Sequence, residues 1–429
     1  MKQHLKYGFG ILAVGLMASV FAILFRGTLS QLNQAVFGVK TVVEVLTSLT
    51  WWQRALLPAI GALLGGLVSR AIGPTGGGVG DVMEAVVLGK VNLSLRSTVL
   101  KSLASWLAIA TGGSLGREGP LIQFGGAAGK TVGQSLKLTQ GQIRILIAAG
   151  TAAGFAAAYN TPIAAVLFVV EVVIGVVVVE AIWPVLIATV LATAVTRFAI
   201  GPGPLYGEHT FSMTNNYELF AYAALGVVVA FGAQGFMRTL SLGERLFKNP
   251  RLPMPWRPAL GGLLAGLVIA VMPEIAGNGF EPLSGVISGH YAWGFVLFML
   301  IGKVFATTAS VSSGSPGGVF TPTLLVGGSL GFLFATALSM VLPAGTITPG
   351  GYALVGMAAA TAATTHAPVL ACVMVFELSG DYAIVLPLMI ATAIATAVSR
   401  FLREDSIYMA ELKEKGHDWE LTLEGRVHD

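Results

Sequence analysis

The sequence predicts an all-helical membrane protein that crosses the bilayer many times, built from two inverted repeats of broken, tilted helices. Three observations predict it. Of 429 residues, 55% are hydrophobic and only 11% charged, whereas about a quarter of a soluble domain is charged. The apolar stretches are cut by glycine and proline at intervals too short for straight crossings. The second half of the chain also repeats the first.

Apolar stretches fall at about 8–26, 56–73, 95–112, 120–137, 143–158, 162–175, 180–197, 218–236, 258–273, 291–310, 322–342, 351–363, 367–379 and 383–399. Several fall short of the ~20 residues that span a hydrocarbon core as a helix. Between them lie breaks such as residues 73–80, 112–120, 160–162, 277–279, 312–322 and 366–368. Non-helical backbone at membrane depth survives only where protein buries it or it lines a wet cavity. The breaks therefore predict half-helices meeting inside the bilayer, the pattern of transporters. The basic start, with Lys2 and Lys6, precedes an apolar run without a small-x-small cleavage site, so a retained first span is expected.

Basic residues orient such a chain. They gather at Lys2 and Lys6, in the segment 238–257 read as a basic loop, and at Arg400, Arg403, Lys413 and Lys415. Both termini are therefore expected in the cytoplasm, and the loop 201–217, free of Lys and Arg, outside. The expected organisation is a membrane domain over 1–410, with repeats at about 50–200 and 250–400, and a short charged cytoplasmic tail, 411–429. A basic patch for nucleic acid is not expected, because the cations fall at the ends of apolar spans. Cys372 is the single cysteine, which excludes an intrachain disulfide.

The repeat is legible by eye. Pro58-Ala59-Ile60-Gly61 is matched by Pro258-Ala259-Leu260-Gly261, Lys101 by Lys303, and Gly116-Arg117-Glu118-Gly119-Pro120 by Gly318-Val319-Phe320-Thr321-Pro322. Asn160-Thr161-Pro162 with Glu171 is matched by His366-Ala367-Pro368 with Glu377. A lone Arg54 precedes the first Pro-Ala span and the basic segment precedes the second, which places the two starts on opposite faces. Inverted repeats set a substrate site near the midplane, where broken helix ends converge.

The two five-residue motifs are then equivalent breaks, each offering backbone N–H groups at a helix start. Two positive helix ends aimed at one point hold an anion without a buried full positive charge. The glycine turn with Gly77 and Gly78 is a third contributor. No Lys or Arg cluster is present to clamp phosphate or sulfate, so a weakly hydrated monovalent anion is expected. Glu118 lies in the first break, where its carboxylate and an anion compete for one place.

These motifs resemble the CLC chloride channel and transporter family, of the short prokaryotic type without CBS domains, over about residues 10–412. The resemblance implies a CLC-type fold and a homodimer with an anion pathway in each subunit. It implies gating by Glu118, anion binding by the N–H groups of Val319 and Phe320, and a Tyr408 hydroxyl facing the ion from the inner side. Gly77 stands where the family often carries a chloride-binding serine. Val172 follows Glu171 where proton-coupled members carry a second glutamate. Arg117 and Lys101 are weaker candidates, as pathway or field-setting residues. Glu171 and Glu377 are read as caps of broken helices, and Lys101 and Lys303 as structural.

The expected function is transport of chloride or a similar small monovalent anion in the inner cell membrane, among lipid, channel-like and gated by Glu118. Proton-coupled exchange is the alternative. Neither an enzyme nor a cofactor is expected: the six histidines, at 4, 209, 290, 366, 417 and 428, are scattered and lack a nucleophile or metal partner at useful spacing. An intramembrane enzyme and a sodium-coupled carrier are the distant rivals; sodium-independent anion flux excludes the latter.

Overall fold

The computed structural model describes residues 2–72, 78–87, 93–207, 211, 213, 215, 217–248, 253, 255–343, 346–414, 419–422 and 425–428. Helices α1 (Lys2–Phe37) and α2 (Val42–Ser48) lead into α3 (Trp51–Ile72), α4 (Val79–Val87), α5 (Leu95–Ala110), α6 (Glu118–Ser135) and α7 (Gln140–Tyr159). Next come α8 (Pro162–Leu167), which runs into a π-helical turn (Phe168–Ile174), and α9 (Val179–Ile200). The order then recurs: α10 (Glu218–Phe247), α11 (Trp256–Val271), α12 (Phe280–Ile287), α13 (Trp293–Ser312), α14 (Phe320–Ser339), α15 (Pro349–Thr365), α16 (Pro368–Ser379) and α17 (Val385–Leu402). Helix α18 (Ile407–Glu414) and an antiparallel hairpin, β1 (Trp419–Thr422) with β2 (Gly425–His428), follow.

Proline and left-handed residues punctuate both halves alike. Pro162 and Pro368 start α8 and α16, where a missing N–H costs nothing. The preceding helices close on Asn160 and His366, both with positive φ. α7 carries a capping box, with the Gln142 N–H donating to Thr139 Oγ1 at 3.4 Å and the Thr139 N–H to Gln142 Oε1 at 3.2 Å. Its face is Ala- and Gly-rich because it lies at the centre of its half, packed on α6 and α9; α15 does the same against α14 and α17. The approach is close enough that a Cβ on Gly125 would overlap the Gly150 carbonyl, and the equivalent pair, Gly327 and Gly356, meets in the same way.

The halves join through α3 against α11 and through the two breaks. Gly116 and Gly318 form an antiparallel bridge, each N–H donating to the other's carbonyl, at 2.7 and 2.9 Å. Equivalent residues exchanging equivalent bonds place a pseudo-two-fold axis between them, as inverted repeats require. Among the described residues, eight helices are long and apolar enough to cross a membrane. Large apolar side chains such as Phe9, Trp183, Phe220 and Leu386 remain exposed on them.

Two expectations are adjusted. The first span is longer than 8–26, since α1 extends through polar flanks to Phe37. Arg238 and Arg245 sit on α10 rather than in a loop, because its apolar face continues past residue 236. Helix α1 packs on α7 and α9, and α10 packs on α15 and α17 in the same way. Helix α18 carries the buried Leu412, and the strand pair β1–β2 follows it.

Candidate functional site

Helices α6 and α14 begin at Glu118 and Phe320, on either side of the Gly116–Gly318 bridge. Their positive ends therefore converge on one spot. The Glu118 carboxylate occupies it. Oε1 accepts the Phe320 N–H at 2.9 Å, and Oε2 accepts the Thr321 hydroxyl at 3.0 Å and the Tyr159 hydroxyl at 3.3 Å. Glu118, Phe320, Thr321 and Tyr159 are each 3% exposed or less. The carboxylate folds back over the bridge, where a Cβ on either Gly116 or Gly318 would overlap it. Glycine at both positions is what leaves room.

Arg117 is the N-cap residue of α6, and no ion pair between it and Glu118 is formed among the described residues. Its Nε atom is buried without a hydrogen-bond partner, and its charge lies close enough to Arg26 of α1 for the two to interact. The carboxylate is thus held by helix ends and hydroxyls rather than by its sequence neighbour.

On one side of Glu118 a cavity of about 660 Å³ opens toward the C-terminal end of the chain. Gln123, Lys101, Glu244, Arg403, Tyr408 and Glu411 are among its lining residues. Tyr408 is buried and lines the cavity together with Glu118 and Glu411. Val319, the N-cap residue of α14, also lines the cavity; of the two N–H groups expected at the anion, that of Phe320 is on the carboxylate. Lys101 pairs with Asp81 at 3.7 Å, and Asp81 accepts the Gln123 amide at 3.1 Å. Gly78, with positive φ, donates its N–H to Gln123 Oε1 at 3.3 Å. Gly77 lies outside the described residues.

The paired lysines diverge. Where Lys101 meets a carboxylate, the fully buried Lys303 donates to the carbonyls of Ile275 at 2.9 Å and Gly277 at 2.8 Å. The paired glutamates instead cross the axis. Glu171 accepts the N–H groups of Val369 and Leu370 at 3.3 and 2.6 Å, at the start of α16. Glu377 accepts those of Ile163 and Ala164 at 3.0 and 2.8 Å, at the start of α8. Each half caps a broken helix of the other. Val172, beside Glu171, is buried with apolar neighbours.

Sequence reasoning missed Tyr159 and Thr321 as partners of Glu118. Both sit in motifs already visible as breaks, Tyr159-Asn160-Thr161-Pro162 and Gly318-Val319-Phe320-Thr321-Pro322. A hydroxyl beside a proline break was the available signal.

The chain as a whole is similar to proteins already described. The family profile described as "Voltage gated chloride channel" matches residues 60–400. The chain belongs to the voltage-gated chloride channel, or CLC, family. A ClcB-like chloride channel protein of Ralstonia nicotianae is 35% identical over 418 residues, covering 94% of this chain and 96% of the relative. The voltage-gated ClC-type chloride channel ClcB of Escherichia coli is 34% identical over 378 residues, covering 86% and 89%. Among solved structures, a slow cyanobacterial Cl-/H+ antiporter superposes with a TM-score of 0.85 at 25% identity, covering 96% of this chain and 98% of that one. A CLC-type fluoride/proton antiporter shares the fold with a TM-score of 0.76 at 23% identity, over 94% and 96%. The chain has the CLC fold of inverted repeats and is a multi-pass membrane protein of a family of transporters and channels, not enzymes.

Proposed function

We propose that this CLC protein moves chloride across the membrane in exchange for protons, with Glu118 as the group that both ions share. The observation carrying this reading is that the Glu118 carboxylate fills the place where two helix starts converge. A carboxylate and a chloride compete for the same donors, so they exclude each other there. Protonation removes the charge that competes and releases the side chain. One group then alternates between binding a proton and yielding to an anion, which is the elementary requirement for exchange. The similarity to a Cl-/H+ antiporter over nearly the whole chain supports the same reading.

In this reading the backbone N–H groups of Phe320 and Val319, with Gly77 and Gly78, receive the anion. Tyr408 lines its approach, and Lys101 and Arg117 set the local field. The subunit works as a homodimer in the lipid of the inner cell membrane, with both termini in the cytoplasm.

A channel gated by Glu118 is the second reading. Val172, apolar and buried beside Glu171, favours it, as do the names of the curated relatives. Anion efflux from liposomes, with external pH recorded at the same time, separates the two. Exchange predicts proton uptake in fixed proportion to chloride release and a reversal potential that shifts with the pH gradient. A reversal potential set by chloride alone makes the protein a channel.

A further inference from the structure

Beside the Glu118 carboxylate, two hydroxyls from opposite halves of the molecule meet. Tyr159 ends α7 of the first half, Thr321 lies in the first turn of α14 of the second, and their oxygens are 2.9 Å apart. Both reach Glu118 Oε2, Thr321 at 3.0 Å and Tyr159 at 3.3 Å. We propose that these two hydroxyls are ligands of the transported anion and determinants of its affinity.

The inference rests on the reading of Glu118 as a carboxylate seated in an anion site. When the carboxylate leaves, the Phe320 N–H and the Thr321 hydroxyl lose their acceptor, and the Tyr159 hydroxyl keeps only Thr321. They are at most 3% exposed, and buried donors without partners are costly. An anion entering the same place restores every bond. The proton geometry allows a relay: Thr321 donates to the ion while Tyr159 donates to Thr321 or directly to the ion. A hydroxyl that receives one hydrogen bond donates a stronger one, so the pair acts as a unit.

The pair is held for this role. The Tyr159 ring is packed against Phe155 and Phe320, with centroids 5.0 and 5.7 Å away, and Phe155 stacks on Phe168 at 4.7 Å. Asn160 follows in the left-handed conformation, tied to Gly203 and Arg197 at 2.9 and 2.8 Å. The hydroxyl therefore has a fixed position at the end of a rigid helix.

The test uses two readouts that a merely structural role would move together. In full-length Glu118→Ala protein, chloride binding is measured by calorimetry. Tyr159→Phe and Thr321→Val, added singly, are expected to weaken it by about tenfold each, the scale of a hydrogen bond to a charged group. Thr321→Ser, which keeps the hydroxyl, is expected to retain most of the affinity. In protein keeping Glu118, the same two losses are expected to raise chloride flux, because the carboxylate is held by fewer donors. Weaker binding with faster flux supports the proposal. Affinity within twofold of the parent in both variants, or a fall in binding and flux alike with no rescue by Thr321→Ser, overturns it. If Glu118→Ala protein binds no chloride at all, the reading of Glu118 falls first and this proposal with it.

Discussion

Glu118 and the pair Glu171 and Glu377 make similar contacts in different surroundings. All three carboxylates accept backbone N–H groups at a helix start that belongs to the opposite half. Glu171 and Glu377 do so symmetrically, two bonds each, and their bonds complete two short helices that begin with proline. Glu118 has no symmetric partner, because Phe320 holds the equivalent position. It also has hydroxyls as additional donors, glycines behind it and a cavity in front of it. If Glu118 gates as proposed, capping a helix is therefore not what distinguishes a gate from a staple. Space to leave, and an alternative ligand for the donors left behind, are what distinguish it.

The sharpest way to break the comparison is Glu118→Gln. It keeps the shape and removes the charge, so flux should rise or lose its pH dependence, and any proton coupling should vanish in the liposome assay. A wild-type pH profile in this variant sinks the gating role. Gly318→Ala should act in the same direction but less strongly: the new Cβ would displace the carboxylate without removing it. Chloride flux that matches the parent across the pH range would show that the carboxylate needs no such room. Glu377→Gln should leave the pH profile alone and instead lower stability by roughly 1 kcal/mol, the scale of one net hydrogen bond at a half-buried acceptor. Thermal unfolding in detergent checks the stability, and a pH profile altered as much as by Glu118→Gln would erase the distinction between the two kinds of carboxylate.

Most of the helices were legible because apolar length and proline or glycine breaks are local signals. The pairing of the two halves was legible because whole motifs recur at a nearly constant offset. The short helices α2, α4, α12 and α18 were not, since seven to nine residues of amphipathic chain give little periodicity beside long apolar spans. Glu118 announced itself as an acid among glycines. Tyr159 and Thr321 did not, because their importance comes from contacts across 41 and 203 residues of chain. The targets of Glu171 and Glu377 were hidden for the same reason. A cap was foreseeable, but not that the capped helix lies in the other half.

The bonds that cross the pseudo-two-fold axis also constrain the mechanics of transport. Two backbone bonds join Gly116 to Gly318, and four more tie Glu171 and Glu377 to the opposite half. A carrier that worked by tilting one half against the other would have to tear this seam on every cycle. The seam instead makes the two halves a single stator, and the smallest part free to move against it is the Glu118 side chain. Turnover would then be paced by the rotation of that side chain and by the arrival of a proton, rather than by the swing of a domain.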